Sequence, residues 1–306
     1  MDYKNYFLNC RESYKNKKPY LSSFYENPVR VIPHNFFTKE TKDYLLDLSK
    51  NIKREFDTGK HKLGNISGIK NFWPYALPIN KTCEQLIPYL EETFYGCNLF
   101  VDKVYIYRTQ KIEIKKDSYL WHHDNNPNEI IKIIIYLNEV NQFNSPFEYL
   151  ADENNRGMLA KCTRLGPNNW EPAPNDGRLE DEVKNLIKYK NCSGKKLIGK
   201  QFTACAFSNN SIHRVNPIIK GYRDVLNIRV KPTISKPSIY LSKKWTSSFG
   251  VSGAVDPDPE KDWQYYNKKS NLRLLKEIYL NILLKKLKNK IKIIKGNIFK
   301  YFFKNI

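Results

Sequence analysis

Within Trp121-His122-His123-Asp124 an imidazole and a carboxylate stand two residues apart. Side chains at i and i+2 of an extended chain point to the same side. His122 and Asp124 therefore aim at a common point, and His123 points away. One further imidazole completes a set of two His and one carboxylate. That donor set holds a non-haem Fe(II) on one face and leaves its other coordination positions open for chemistry. Downstream, His213 in Ser211-Ile212-His213-Arg214 offers that imidazole, and ten residues beyond it stands Arg223 in Gly221-Tyr222-Arg223-Asp224.

Residues so far apart need a frame to bring them together. Phe100 to Thr109 predicts a strand with Tyr105, Tyr107 and Thr109 on one parity, and Lys111 to Ser118 a charged turn. After the motif, Ile130 to Val140 is a β-run, too rich in branched residues for a helix to be preferred. Ser145-Pro146-Phe147-Glu148-Tyr149-Leu150 reads as a turn feeding a strand. Phe202 to Phe207 is a strand that delivers the chain to His213, and Tyr222 to Lys231 is another. Upstream, Val29 to Pro33 suits a short strand. Thr38 suits the N-cap of a helix through about Phe56, with Tyr44, Leu45, Leu48 and Ile52 on one face. The Gly and Pro spacing from Gly59 to Pro78 predicts loop. Thr82-Cys83-Glu84-Gln85 reads as a capping box for a second helix ending near Gly96, with Pro88 working against it. Between 152 and 196, the stretch Gly166 to Pro174 excludes regular structure. Leu179 to Lys190 predicts a helix, acidic at its start and basic at its end as the macrodipole favours.

The order of these features resembles the Fe(II)/2-oxoglutarate-dependent dioxygenase superfamily over about residues 100–232. The features are HxD, a strand ending Tyr136-Leu137-Asn138, a distant His and an Arg ten residues on. The likeness is to the phytanoyl-CoA-hydroxylase-like and prolyl-hydroxylase-like branches. The resemblance implies a mainly β fold with flanking helices: a double-stranded β-helix, a cupin-like jelly roll of two facing antiparallel sheets. It implies that His122, Asp124 and His213 hold Fe(II). 2-Oxoglutarate would take two further positions, with one left for O2. Succinate and CO2 would be formed as the substrate is hydroxylated. In related halogenases a small residue replaces the carboxylate, so Asp124 implies hydroxylation. Arg223 would hold the far carboxylate of 2-oxoglutarate, because a guanidinium can meet a carboxylate with two parallel hydrogen bonds. Tyr136 resembles a prolyl-hydroxylase position whose phenol helps bind that carboxylate, and Tyr107 could hold a similar place from the preceding strand. Ser145 stands where the family usually has Gly. The 152–196 insertion is expected over the active-site mouth, shaping substrate choice, against a solvated loop with no such role. His123 and Trp121 fall to packing or support of the ligands, and Cys205 to the core.

Strand parity adds a substrate reading. If Arg223 points inward, Val225, Asn227 and Arg229 share its face, and polar, positive groups would suit an oxygen-rich or anionic substrate. A glycan, a lipid-linked sugar, a small metabolite or a protein side chain all meet that description.

The chain of 306 residues is long enough for one catalytic domain over 1–260 with a separate tail over 261–306. With 52 Lys and Arg against 31 Asp and Glu the formal charge is +21. Thirteen Lys or Arg against two Asp or Glu fall between 261 and 306, so about half the excess sits in the tail. From Leu272, apolar residues recur at helical spacing with lysines on another face. That pattern predicts a basic amphipathic helix, and residues 272–306 could lie on an anionic membrane surface, bind a partner or dock on the catalytic body. No apolar run reaches the roughly 20 residues needed to span a bilayer. No nucleic-acid module is visible, so nucleic acid is not the expected partner. Six Cys without a CxxC pair, and a start lacking an apolar signal core, predict a cytoplasmic protein or one peripheral on the inner membrane face. Two rivals remain at this stage: a non-catalytic jelly roll binding ligand or membrane, and a cupin isomerase using another metal.

Overall fold

The computed structural model describes residues 3–14, 23–63, 66–71, 73–112, 117–124, 126–160, 179–237 and 240, with 280 and 287 beyond. The expected tail helix, the irregular stretch 166–174, Cys162 and most of residues 232–260 lie outside the described residues. In chain order the elements are α1 (Tyr3–Ser13), α2 (Ser23–Glu26), β1 (Val29–Ile32), α3 (Lys39–Asp57), β2 (Lys62–Leu63), β3 (Ile66–Gly68), α4 (Ala76–Leu90) and β4 (Asn98–Thr109). There follow β5 (Ile131–Tyr136), β6 (Phe147–Ala151), α5 (Glu180–Lys190), β7 (Ser193–Leu197), β8 (Ala204–Ser208), β9 (His213–Val215) and β10 (Arg223–Thr233).

The strands form two antiparallel sheets. The larger runs β1-β8-β5-β10-β4-β3-β2 and the smaller β7-β6-β9. From β4 onward the chain passes back and forth between them, so neighbours in the sheet are distant in sequence. Alternation along each strand divides the larger sheet into two faces. Ile131, Ile133, Ile135, Leu226 and Ile228 pack outward against Leu45, Leu48 and Ile52 of α3 and Ile79, Cys83 and Leu86 of α4. Ile134, Tyr136, Val225, Cys205 and Phe207 face inward onto Phe147 and Leu197 of the smaller sheet. The Phe147 and Phe207 rings meet at 4.6 Å across the gap. Inward-facing positions of β4, β5 and β10 thus open on the space between the sheets, where the site lies.

Local chemistry accounts for the element ends. Thr38 caps α3, its Oγ1 accepting from the Thr41 N–H at 3.2 Å. Helix α4 differs from expectation by starting at Ala76, inside the expected loop. Its Tyr75 N-cap makes no side-chain capping hydrogen bond, so no capping residue marks the start in sequence. Pro78 falls in the first turn, where no N–H is required. Thr82 is interior, and its hydroxyl donates to the Pro78 carbonyl at 2.8 Å. Residues 91–95 continue α4 as a wider π turn that ends on Gly96 at φ 72°. Ser145 has φ 72°, a left-handed conformation in which glycine is unstrained, and its hydroxyl donates to the Asn216 carbonyl at 2.6 Å. Five of the six cysteines are described, and all five are buried free thiols. No helix among the described residues is long and apolar enough to cross a membrane.

Glu91 carries a prediction. Burial pushes its carboxyl up to about 7, countered only in part by the Leu99 N–H and Lys236. Oε1 accepts from that N–H at 2.7 Å. A carboxyl raised on folding binds protons more tightly folded than unfolded, so stability falls as pH rises from about 4.5 through about 7 and then levels. Glu91→Gln is therefore expected to match the parent near pH 4.5 and to exceed it at pH 8. The gain is on the order of 3 kcal/mol, read from urea melts at both pH values. A difference that does not change with pH would refute this.

Candidate metal centre

Backbone pairing between distant segments builds the centre. His122 and His213 form a bridge in which each N–H donates to the other's carbonyl at 2.9 Å. Directly opposed residues place their side chains on one face, and the two imidazole rings lie 4.3 Å apart. The Asp124 N–H donates to the Asn209 carbonyl at 2.9 Å, off the register of that bridge, and the carboxylate comes to the same side as both imidazoles. The motif segment therefore joins the smaller sheet beside β9 by a single bridge. The donor atoms of His122, Asp124 and His213 all lie within 4.8 Å of one another.

The imidazoles are oriented for a metal. His122 Nδ1 lies 2.8 Å from the Leu120 carbonyl and His213 Nδ1 lies 2.7 Å from the Ser211 carbonyl. A carbonyl only accepts, so each Nδ1 carries a proton, which in a neutral ring leaves Nε2 with its lone pair. That is how ligating histidines are usually supported. Burial lowers the His213 pKa, partly offset by Asp124, so the ring is neutral at pH 7. Burial works to raise the Asp124 pKa, but Lys132 and the two imidazoles outweigh it and hold the carboxyl well below the usual carboxylate range. Two imidazoles and one carboxylate fit a ferrous ion with positions to spare.

His123 points away, its Nδ1 3.1 Å from Asn210 Oδ1. Trp121 packs with Leu150, Leu179, Val183 and Ile212. Glu180, at the start of α5, accepts from the Trp121 N–H at 2.6 Å, and the Leu179 N–H donates to the Trp121 carbonyl at 2.8 Å. The described end of the 152–196 segment is therefore fastened to the residue before His122. The same segment also supplies β7 to the smaller sheet.

The centre opens on a cavity of ≈ 250 Å³ lined by both sheets. Arg223, Tyr107, Thr109, Tyr105, Asn227 and Lys132 contribute its polar lining. Arg223 is 2% exposed, and its Nε and Nη2 donate to Thr109 Oγ1 at 3.1 and 2.9 Å. Other enclosed cations have carboxylates: Arg108 pairs with Asp224, Arg214 with Glu148, Lys132 with Asp124, and Arg229 and Lys231 with Asp102. Arg223 has no such partner among the described residues.

Tyr107 lines the cavity, as does the triad. Tyr136 lies on the inward face and is fully buried, but its phenol serves the backbone. It donates to the Leu197 carbonyl at 3.0 Å and accepts from the Phe147 N–H at 3.0 Å, fastening β6 and β7 to the larger sheet. Asn227 lines the cavity as parity suggested. Arg229 shares that face but not the lining. A β-bulge leaves Asp102 without a strand partner opposite it, and Asp102 accepts from Arg229 Nε at 2.6 Å. Sequence reasoning missed Lys132, whose Nζ donates to Asp124 Oδ2 at 2.7 Å.

No protein-family model matches the chain, and no curated protein matches it. Among solved structures, HygX from Streptomyces hygroscopicus with nickel and 2-oxoglutarate bound is similar at 13% identity and a TM-score of 0.44, over 78% of this chain and 96% of that one. EctD from S. alaskensis with 2-oxoglutarate and 5-hydroxyectoine is similar at 14% identity and a TM-score of 0.47, over 71% of this chain and 78% of that one. The epimerase SnoN in complex with Fe3+, alpha ketoglutarate and nogalamycin RO is similar at 11% identity and a TM-score of 0.44, over 78% and 91%.

Proposed function

We propose that the chain is a ferrous- and 2-oxoglutarate-dependent dioxygenase that hydroxylates a polar or anionic substrate. The alternating path between the two sheets supports reading the fold as a double-stranded β-helix. Function is argued from the site, because the same fold serves other ends. The observation that carries the reading is one cavity holding both a His–Asp–His donor set and a buried guanidinium with no carboxylate partner among the described residues.

Each residue has a task. His122 Nε2, Asp124 and His213 Nε2 hold the metal, with the Leu120 and Ser211 carbonyls fixing both imidazole tautomers. Burying a cation away from water and counter-charge costs several kcal/mol. Arg223 is thus placed to gain when the far carboxylate of 2-oxoglutarate enters, with Thr109 orienting its fork. Tyr107 borders that position, and Tyr136 supports it from beneath. When bound, iron and 2-oxoglutarate together supply oxygen activation, coupled to loss of CO2 and formation of succinate. Asp124 fills the metal position that a halide would require, which favours hydroxylation. The walls Ile134, Phe147, Phe207 and Val215 limit water around the reacting group.

Anaerobic addition of Fe(II) and then 2-oxoglutarate tests this. A weak visible charge-transfer band is expected in the native chain and none in His122→Ala. A native chain without the band, or a variant that keeps it, would count against the assignment. An isomerase using another metal would turn over without oxygen or 2-oxoglutarate.

A further inference from the structure

The cavity holds one more cation than the proposed chemistry uses. Lys132 lies in β5 among buried isoleucines, directly opposite Arg229 of β10, with its ammonium on Asp124. Within the dioxygenase reading, the ferrous ion and Arg223 balance Asp124 and 2-oxoglutarate. Lys132 is then left as one uncompensated positive charge beside a dication, and like charges at such range repel. Behind it the Asp102 carboxylate is taken up by Arg229 and Lys231. An ammonium in this place calls for an anion from outside the chain.

A second observation concerns the next pair along the sheet. Asn227 lies between Tyr105 of β4 and Ile134 of β5 in register. It is 7% exposed and lines the cavity, and its Oδ1 has no hydrogen-bond partner among the described residues. Buried polar atoms are rarely left this way, and an acceptor here suits an O–H or N–H of a ligand. At ≈ 250 Å³ the cavity is below the roughly 300–1,000 Å³ usual for small-molecule sites.

We propose that Lys132 and Asn227 form the substrate-recognition end of the cavity. They would take a singly charged oxyanion that carries a neighbouring O–H or N–H, as hydroxy acids and amino acids do. The inference rests on the dioxygenase reading and narrows its substrate class. Lys132 grips the oxyanion, Asn227 accepts from the adjacent donor, and together they fix which carbon faces the metal.

Glycolate and its neutral counterpart glycolamide are the probes, titrated anaerobically into the full chain loaded with Fe(II) and saturating 2-oxoglutarate. The readout is the position of the charge-transfer band. Glycolate is expected to shift the band at a concentration at least tenfold below that of glycolamide. Lys132→Arg should keep that preference, and Lys132→Met should reduce it to less than twofold. Asn227→Leu leaves the Lys132–Asp124 pair in place and should weaken both probes several-fold without changing their ratio. Equal binding of the two probes overturns the inference, as does a preference that survives Lys132→Met. If Lys132→Met fails to load metal, native-like glycolate binding in Asn227→Leu, or a lost preference in Lys132→Arg, overturns it. Absence of the band in the native chain removes the dioxygenase reading and this inference together, whereas a band with no acid preference removes the inference alone.

Discussion

A His213→Ala protein is expected to keep its sheets and lose its metal. The backbone bridge between His122 and His213 is made by main-chain atoms on both sides, so alanine preserves it. The ring borders the cavity and touches Phe147 and Phe207 at centroid distances of 5.5 and 5.1 Å. Its removal should cost the metal-free fold no more than about 2 kcal/mol. Fe(II) affinity, by contrast, should fall by more than about 100-fold, since even outer-shell partners of a ligand are worth about 10–100-fold. Competition with a calibrated chelator, alongside a thermal melt, separates the two effects. Unchanged affinity, or collapse of the fold with no separable effect on the metal, would show that the ring is a packing residue.

Arg223→Leu should show effects of opposite sign on stability and binding. The guanidinium is enclosed, with one hydroxyl and no carboxylate among the described residues as company. Leucine is shorter but removes an uncompensated buried charge, so the ligand-free protein should melt at the same temperature or higher. The half-saturating concentration of 2-oxoglutarate should rise at least about 100-fold. Two charge-assisted hydrogen bonds are worth about 1.5–3 kcal/mol each, and each 1.4 kcal/mol is about a factor of ten. Arg223→Lys should recover only part of this, lacking the fork. Native-like stabilisation of Arg223→Leu by 2-oxoglutarate in a thermal-shift titration would contradict the assignment.

What the sequence revealed of this site depended on how locally each position was determined. His122 and Asp124 were legible because i and i+2 on an extended segment share a side whatever the strand pairs with. Arg223 was legible through the family resemblance, and Asn227 and the split of β10 into two faces then followed from the same alternation. Tyr136 is different, because the use of its phenol is set by the Leu197 carbonyl and the Phe147 N–H, which β6 and β7 bring to it. Arg229 took the expected parity, yet a bulge at Asp102 in another strand decides what it touches. The start of α4 escaped notice because Tyr75 offers no cap. Lys132 had a signal that was passed over. A lysine inside Ile130-Ile131-Lys132-Ile133-Ile134-Ile135 must be enclosed if its neighbours are, and an enclosed ammonium requires a partner.

Diffraction from crystals grown without oxygen with Fe(II) and 2-oxoglutarate, recorded at the iron absorption edge, tests the central claim most directly. A single strong anomalous peak bonded to His122 Nε2, an Asp124 oxygen and His213 Nε2 is expected, with the far carboxylate of 2-oxoglutarate on Arg223. Iron bound elsewhere, or 2-oxoglutarate with its far carboxylate away from Arg223, would contradict it.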